Sequence, residues 1–138
     1  MIPVRIQLRN AVLALVEDLP GFGAENVVAH KLDKVEIVPI ASVYLGDLSN
    51  ERGAFGGQMD RTQDISISFF IGEEDAEARL SELVDALESS VEQSRVSGLF
   101  GEITDVFLSG VEFSRDKTSE GHDVDAHVTF SFSYSEII

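Results

Sequence analysis

The chain has 138 residues, of which 43% are apolar, and this length and composition are typical of one globular domain rather than of a disordered segment. Cysteine is absent, which excludes disulfides and thiolate chemistry. The formal net charge is −15, which argues against a protein that grips nucleic acid or an anionic membrane surface, since both need cations. We find no apolar run long enough to cross a membrane and no signal-peptide pattern at the start, and therefore expect a cytoplasmic product.

Two segments have the apolar spacing of amphipathic helices. The first is predicted from about Val4 to Leu19, where Pro20-Gly21 stops it. The second is predicted from about Glu73 to Arg95, with acids in its first turn and Gly98 as its C-terminal stop. The apolar faces consist of Val4, Leu8, Val12, Leu15, Val16 and Leu19 in the first helix and of Ala76, Leu80, Leu83, Val84, Leu87 and Val91 in the second.

Several shorter segments are predicted to be strands, because apolar and polar residues alternate in them or β-branched residues are dense. They are Asn26–Ala29, Val35–Leu45, Asp64–Ile71, Val106–Phe113 and Asp123–Tyr134. Pro39 indicates an edge position or a bulge, and Ser109-Gly110 interrupts the alternation as a β-bulge does.

Alternation in a strand means that one face of the sheet is covered and the other is polar. The sequence therefore predicts an α+β fold, a two-layer sandwich in which two helices cover one face of a mixed, mostly antiparallel β-sheet. The strands at Asp64 and Asp123 are long enough to leave an edge exposed, and pairing between subunits would protect that edge. We place no boundary within residues 1–138 and predict a single domain.

The stretch from Gly46 to Asp60 has no apolar period and predicts a flexible loop at about residues 46–60. Phe55 and Met59 have no obvious core there, so they either fold back on the domain or await a partner. Arg52 and Arg61 flank the loop as rare cations, which either pair with acids of a neighbouring subunit or are simply solvated. These four residues are the candidate interface with a neighbouring subunit or with a partner protein.

One group of residues could hold a metal ion. Asp123, Asp125 and His127 recur at every second position, so they share one face of the last strand and could bind a divalent cation. An ordinary polar strand face explains them as well, and it is the simpler interpretation because no further ligand stands at a diagnostic spacing.

No other pattern of catalysis is present. No serine stands in a nucleophile-elbow motif, and no Ser, His and acid arrangement follows from spacing. Gly56-Gly57 is followed by Gln58 rather than by the Lys of a phosphate loop. The expectation is a protein that is not an enzyme and has no cofactor.

Four strings, in this order along the chain, resemble the tail terminator proteins of long-tailed bacteriophages, the family of the lambda minor tail protein U. The strings are Arg9–Leu13 in the first helix, the proline-led Pro39–Leu45, the segment Ser109–Asp116, and the closing aromatic strand that ends near Tyr134. The similarity spans nearly the whole chain. It departs from the lambda pattern at Asn50–Arg61, which is longer and richer in glycine.

The resemblance implies a structural virion protein that forms a homohexameric ring at the head-proximal end of the tail, assembled in the host bacterial cytoplasm. Such a ring binds the last ring of tail-tube protein, ends tube polymerisation and offers a surface to a head-completion or connector protein. DNA passes through its lumen without sequence-specific binding. Two alternatives stay open: another ring protein of the head–tail junction, and a small ligand- or metal-binding α+β domain.

Overall fold

The computed structural model describes residues 2–32, 39–53, 56–72, 76–115 and 124–137, with the backbone alone for residues 115 and 124. The helices are α1 (Val4–Glu17) and α2 (Ala76–Ser97), and a short 3-10 turn spans Ala24–Asn26. The strands are β1 (Val27–Val28), β2 (Ile40–Arg52), β3 (Gln58–Ile71), β4 (Asp105–Arg115) and β5 (Val124–Ile137).

Both predicted helices are confirmed. α1 ends two residues before the predicted boundary, but Leu19 beyond it is still buried, and Gly21 has a φ of 87° that suits the turn after the helix. Gly98, at a φ of 82°, follows the end of α2 as predicted. The acidic turn predicted at Glu73–Asp75 lies outside the described residues. Arg79 of α2 donates a hydrogen bond to the carbonyl of Pro20, so α2 satisfies a carbonyl just beyond α1. No helix in the described ranges is long and apolar enough to span a membrane.

The five strands form one sheet in the order β1-β2-β3-β5-β4. β1 and β2 are parallel and every other pair is antiparallel. The helices pack against one face of this sheet, and the apolar stripes of both helices share a single core with the inward residues of β2 to β5. The predicted α+β two-layer sandwich with a mixed, mostly antiparallel sheet is therefore confirmed. The bulge predicted in β4 is also present, between Leu108 and Gly110.

The prediction about the exposed edges was wrong. β3 and β5, the strands predicted at Asp64 and Asp123, lie in the middle of the sheet and pair with each other over their full length. The edge is β4, together with β2 beyond Ser42, where the pairing with β1 ends among the described residues. The alternation of a strand reports which face is covered, but it carries no information about the neighbouring strands.

The predicted loop at about residues 46–60 is also corrected, because most of it is paired. Gly46–Arg52 continues β2 and Gln58–Asp60 begins β3, so the two strands form a long hairpin. Residues Gly46–Arg52 are exposed and Gln58–Thr62 are half-buried, which explains why the apolar period is lost although the backbone is paired. The register irregularity of β2 lies between Leu45 and Leu48 rather than at Pro39, which precedes the strand, and Val35–Val38 fall outside the described residues.

Candidate functional site

Two regions of the sheet carry the predicted site residues. We call the face turned away from the helices the outer face. We call the three-stranded part beyond the end of β4, formed by Leu48–Arg52 of β2, Gln58–Thr62 of β3 and Tyr134–Ile137 of β5, the arm.

The outer face carries a strong excess of negative charge. Strand register places six acids there among the described residues, and it places no Lys or Arg with them. The six are Glu51, Asp60, Asp64, Asp105, Glu112 and Asp125. Like charges at this density repel an approaching polyanion.

Serine hydroxyls of neighbouring strands hold several of these carboxylates. The Ser135 hydroxyl donates to Asp60 Oδ1 over 2.6 Å, and the Ser131 hydroxyl donates to Asp64 Oδ1 over 2.7 Å. Both pairs are direct register partners of β3 and β5. Hydrogen bonds from Ser135 and then Gln58 lower the pKa of Asp60, because they favour its charged form. Asp60 therefore keeps its negative charge at neutral pH.

The predicted metal group is brought together only in part. Asp123 lies outside the described residues, while His127 Nε2 is 2.8 Å from Asp125 Oδ2. The other ring nitrogen, Nδ1, is 2.6 Å from the Ser68 hydroxyl. A neutral imidazole with its proton on Nε2 satisfies both contacts. In the part of the chain that the structure describes, no three His, Cys, Asp or Glu residues form a group that could hold a metal ion.

Sequence reasoning missed the resulting Ser68–His127–Asp125 chain. Ser68 lies on β3, and only the register that sets it opposite His127 brings the two together, so no spacing in the sequence could have revealed it. The connectivity is that of a nucleophile, base and acid triad. However, Ser68 is only 2% exposed, and the Tyr44 hydroxyl lies 3.4 Å from its oxygen. The backbone amides around it are engaged in the strand ladder, so an attacked carbonyl would find neither access nor oxyanion donors.

The interface residues predicted from the sequence lie on the arm, apart from Phe55, which is outside the described residues. Arg52 is exposed and stands opposite Met59, which is half-buried. Arg61 has partners within its own chain: Nη1 donates to Asn50 Oδ1 over 2.7 Å, and Nε lies 3.2 Å from Glu136 Oε1 without hydrogen-bond geometry. The acid expected from a neighbouring subunit thus has an intramolecular counterpart, and the interface role of these residues stays a prediction.

The edge strand β4 exposes two phenylalanines. Phe107 is 53% and Phe113 is 49% exposed, and strand register puts Phe107 on the outer face and Phe113 on the opposite one. The second edge, β2 from Val43 to Arg52, lies at the far side of the sheet from β4. Large apolar residues on an unpaired strand edge are a known route to association between chains.

Tyr134 is a buried residue of the arm, and its substitution tests how the arm packs. Its hydroxyl is buried and has no hydrogen-bond partner, so we expect Tyr134→Phe to raise the free energy of unfolding by about 1 kcal/mol. Burial, and then the charge of Glu136, raise the pKa of Tyr134, against smaller opposing effects of Arg61 and Arg5.

The pH dependence follows from the sign of that shift. Because the folded chain holds the Tyr134 proton more tightly than the unfolded chain does, its contribution is complete below the ordinary tyrosine pKa and is lost as the pH rises through the raised value. Urea titrations at neutral and alkaline pH should show this loss in the wild type and not in Tyr134→Phe. The chain has only two tyrosines, so Tyr44→Phe isolates the Tyr134 titration in the ultraviolet. An ordinary titration of Tyr134 in that variant would contradict the prediction.

No protein-family model matches this chain, and no curated protein matches it. Among solved structures, a chain described as "Virion of native gene transfer agent (GTA) particle" is similar, at 15% sequence identity and a TM-score of 0.42. The likeness covers 95% of this chain and 92% of the other. A likeness this distant does not assign the chain to a family.

Proposed function

We propose that this chain is a structural virion protein that works as a closed ring, and that the ring is the tail terminator of a long-tailed bacteriophage. One observation carries the ring: within the described part of the chain, the sheet has a long unpaired edge at each side, β4 on one side and Val43–Arg52 of β2 on the other. The sequence resemblance described above supplies the identity of the ring.

The two edges suit head-to-tail assembly. They belong to different strands, so pairing β4 of one copy with β2 of the next uses two different surfaces. Such contacts produce a ring when the rotation closes and an open fibre when it does not. Closure also removes both exposed edges at once, which is how barrels avoid uncontrolled edge pairing. Phe107 and Phe113 would supply apolar area at each junction.

The number of copies and the partners come from the resemblance. It implies six copies, a tail-tube protein on one side of the ring and a head-completion or connector protein on the other. We propose that the outer face lines the lumen, because its acids would repel the phosphates of passing DNA and prevent it from sticking.

We also propose that the chain has no catalytic role. Among the residues that the structure describes, the arrangement with catalytic connectivity is Ser68–His127–Asp125, and it is closed to a substrate. A fluorophosphonate probe, which labels activated serines, is expected to leave Ser68 unmodified in the folded protein. Covalent labelling that disappears in Ser68→Ala would contradict this.

Electron microscopy of the purified protein tests the ring directly. Closed annuli with six-fold symmetry, which also bind to the ends of tail tubes, are the expected result. A protein that stays monomeric at high concentration and does not bind tube ends would contradict the proposal. Closed rings that ignore tube ends but bind another junction component would favour the alternative ring protein of the head–tail junction.

Salt should strengthen the assembly. Six copies at −15 each give a formal charge of −90, so repulsion between subunits opposes ring closure. At physiological ionic strength this repulsion is screened over about 8 Å, and more salt or divalent cations shorten that distance. Sedimentation velocity at increasing salt is therefore expected to show a growing ring fraction. If the ring dissociates instead, ion pairs dominate the contacts between subunits.

A further inference from the structure

The arm leaves the body of the protein at a β-bulge. Leu45 pairs with Ile65, and the next pair joins Leu48 to Gln63. Between these two pairs β2 has two residues and β3 has one, so β2 contains one extra residue. The extra length lies at Gly46 and Asp47. A bulge of this kind leaves strand backbone groups without their ladder partner and bends the strand.

The side chain of Gln63 meets those backbone groups. Gln63 occupies an inward position of β3 and is only 1% exposed. Its Nε2 lies 3.2 Å from the carbonyl oxygen of Gly46, 3.4 Å from that of Asp47 and 2.7 Å from that of Asp64. A buried amide of this kind is retained only when its polar atoms are satisfied. Nε2 carries two hydrogens, so one is donated to Asp64 in its own strand and the other is shared by the Gly46 and Asp47 carbonyls, which ties the irregular segment of β2 to β3.

Gly46 provides a second indication that β2 and β3 are held closely together at the bulge. A Cβ at Gly46 would stand 3.2 Å from Asp64 Cβ and 3.3 Å from the Asp64 carbonyl oxygen, closer than most side chains allow. Glycine thus permits β2 to approach β3 closely at the bulge. The Asp64 carboxylate in turn accepts the hydrogen bond from Ser131 of β5, so all three strands of the arm are tied together at this level.

We propose that the hydrogen bonds of Gln63 hold the β-bulge of β2 against β3, and that they thereby fix the direction in which the arm projects. Gln63 is a positioning residue, and the part of the chain that it positions is the arm. Without its amide the distal hairpin separates from the body while the core beneath the helices stays folded. The consequence for assembly rests on the ring proposed above, since a β2 edge of uncertain direction cannot pair regularly with the next copy.

Hydrogen exchange of the full chain tests whether Gln63 holds the arm in place, with Gln63→Leu as the first variant. Leucine keeps most of the buried volume but removes every donor. Amides of Leu48–Arg52 and Met59–Thr62 are expected to exchange at least about tenfold faster, while those of Ile67–Ile71 keep their protection. Thr62→Val is the matched control, because it removes a polar group from the neighbouring position on the opposite face of the arm. The control should exchange as the wild type does.

Gly46→Ala provides the second approach, from the other strand at the bulge. It should accelerate the same arm amides even if Gln63→Leu fails to fold. Unchanged exchange in the arm, or equal acceleration of the arm amides and of Ile67–Ile71 in both variants, would overturn the proposal that Gln63 positions the arm. The ring is judged separately, from assembly of the wild type: if the wild type forms no ring, the proposed function fails while the exchange result on the arm stands.

Discussion

Replacing Phe132 by Ala is expected to lower the free energy of unfolding by about 3–5 kcal/mol, the largest loss that we predict for any single substitution. Phe132 is 0% exposed and stands on β5 at the centre of the core. It packs edge-to-face against Phe100, with ring centroids 5.0 Å apart and an angle of 78° between the rings. Truncation removes buried apolar area and leaves a cavity between the sheet and the segment after α2.

Phe107→Ala is the matched control for this prediction. It makes the same chemical change on β4, but at a ring that is 53% exposed, and it should cost less than about 0.5 kcal/mol. Urea unfolding followed by circular dichroism measures both variants against the wild type under conditions that keep the chain monomeric. Similar losses at the two positions would mean that Phe107 is covered in solution or that Phe132 is not central to the core.

The second large effect concerns assembly rather than folding. The double substitution of Phe107 and Phe113 by Lys should weaken association between copies by at least about 100-fold and leave the fold of each copy intact. Charged side chains on an edge strand prevent another strand from pairing with it, because their burial in the junction is unfavourable. Sedimentation equilibrium measures the association and circular dichroism measures the fold.

General electrostatics predicts the opposite change, which makes this test specific. Two added lysines reduce the net charge from −15 to −13 and should ease the repulsion between copies. The control variant replaces Val96 and Leu99, two exposed apolar residues at the end of α2, by Lys and changes the charge equally. We expect the control to assemble at least as well as the wild type. If the β4 variant assembles as well as the control, β4 is not the junction.

The helices and the covered face of the sheet were predictable because burial leaves a period in the sequence. The spacing of Leu8, Val12 and Val16 reports a helix with one apolar side, and these three residues are buried as predicted. In β5 the alternation from Ala126 to Tyr134 predicts the inward face residue by residue.

The arm and the order of the strands were not predictable for the converse reason. The distal half of β2 projects beyond the core, so its side chains record no burial even though its backbone is paired. Strand order depends on which strands pair, and pairing is carried by backbone groups that every residue shares. The contact between Ser68 and His127 and the buried amide of Gln63 both depend on register, which local spacing does not encode. A glutamine in line with Ile65, Ile67 and Phe69 was the one available signal, because a polar residue in an apolar row requires partners.

The difference between the two open edges has a geometric consequence. Because β4 of one copy can join only β2 of the next in this scheme, every copy around the axis faces the same way, and none is inverted relative to its neighbour. The proposed annulus would therefore have polarity, because its two rims would be formed by different residues. An object with two unlike rims can dock a different protein on each side, which an assembly with dihedral symmetry cannot do.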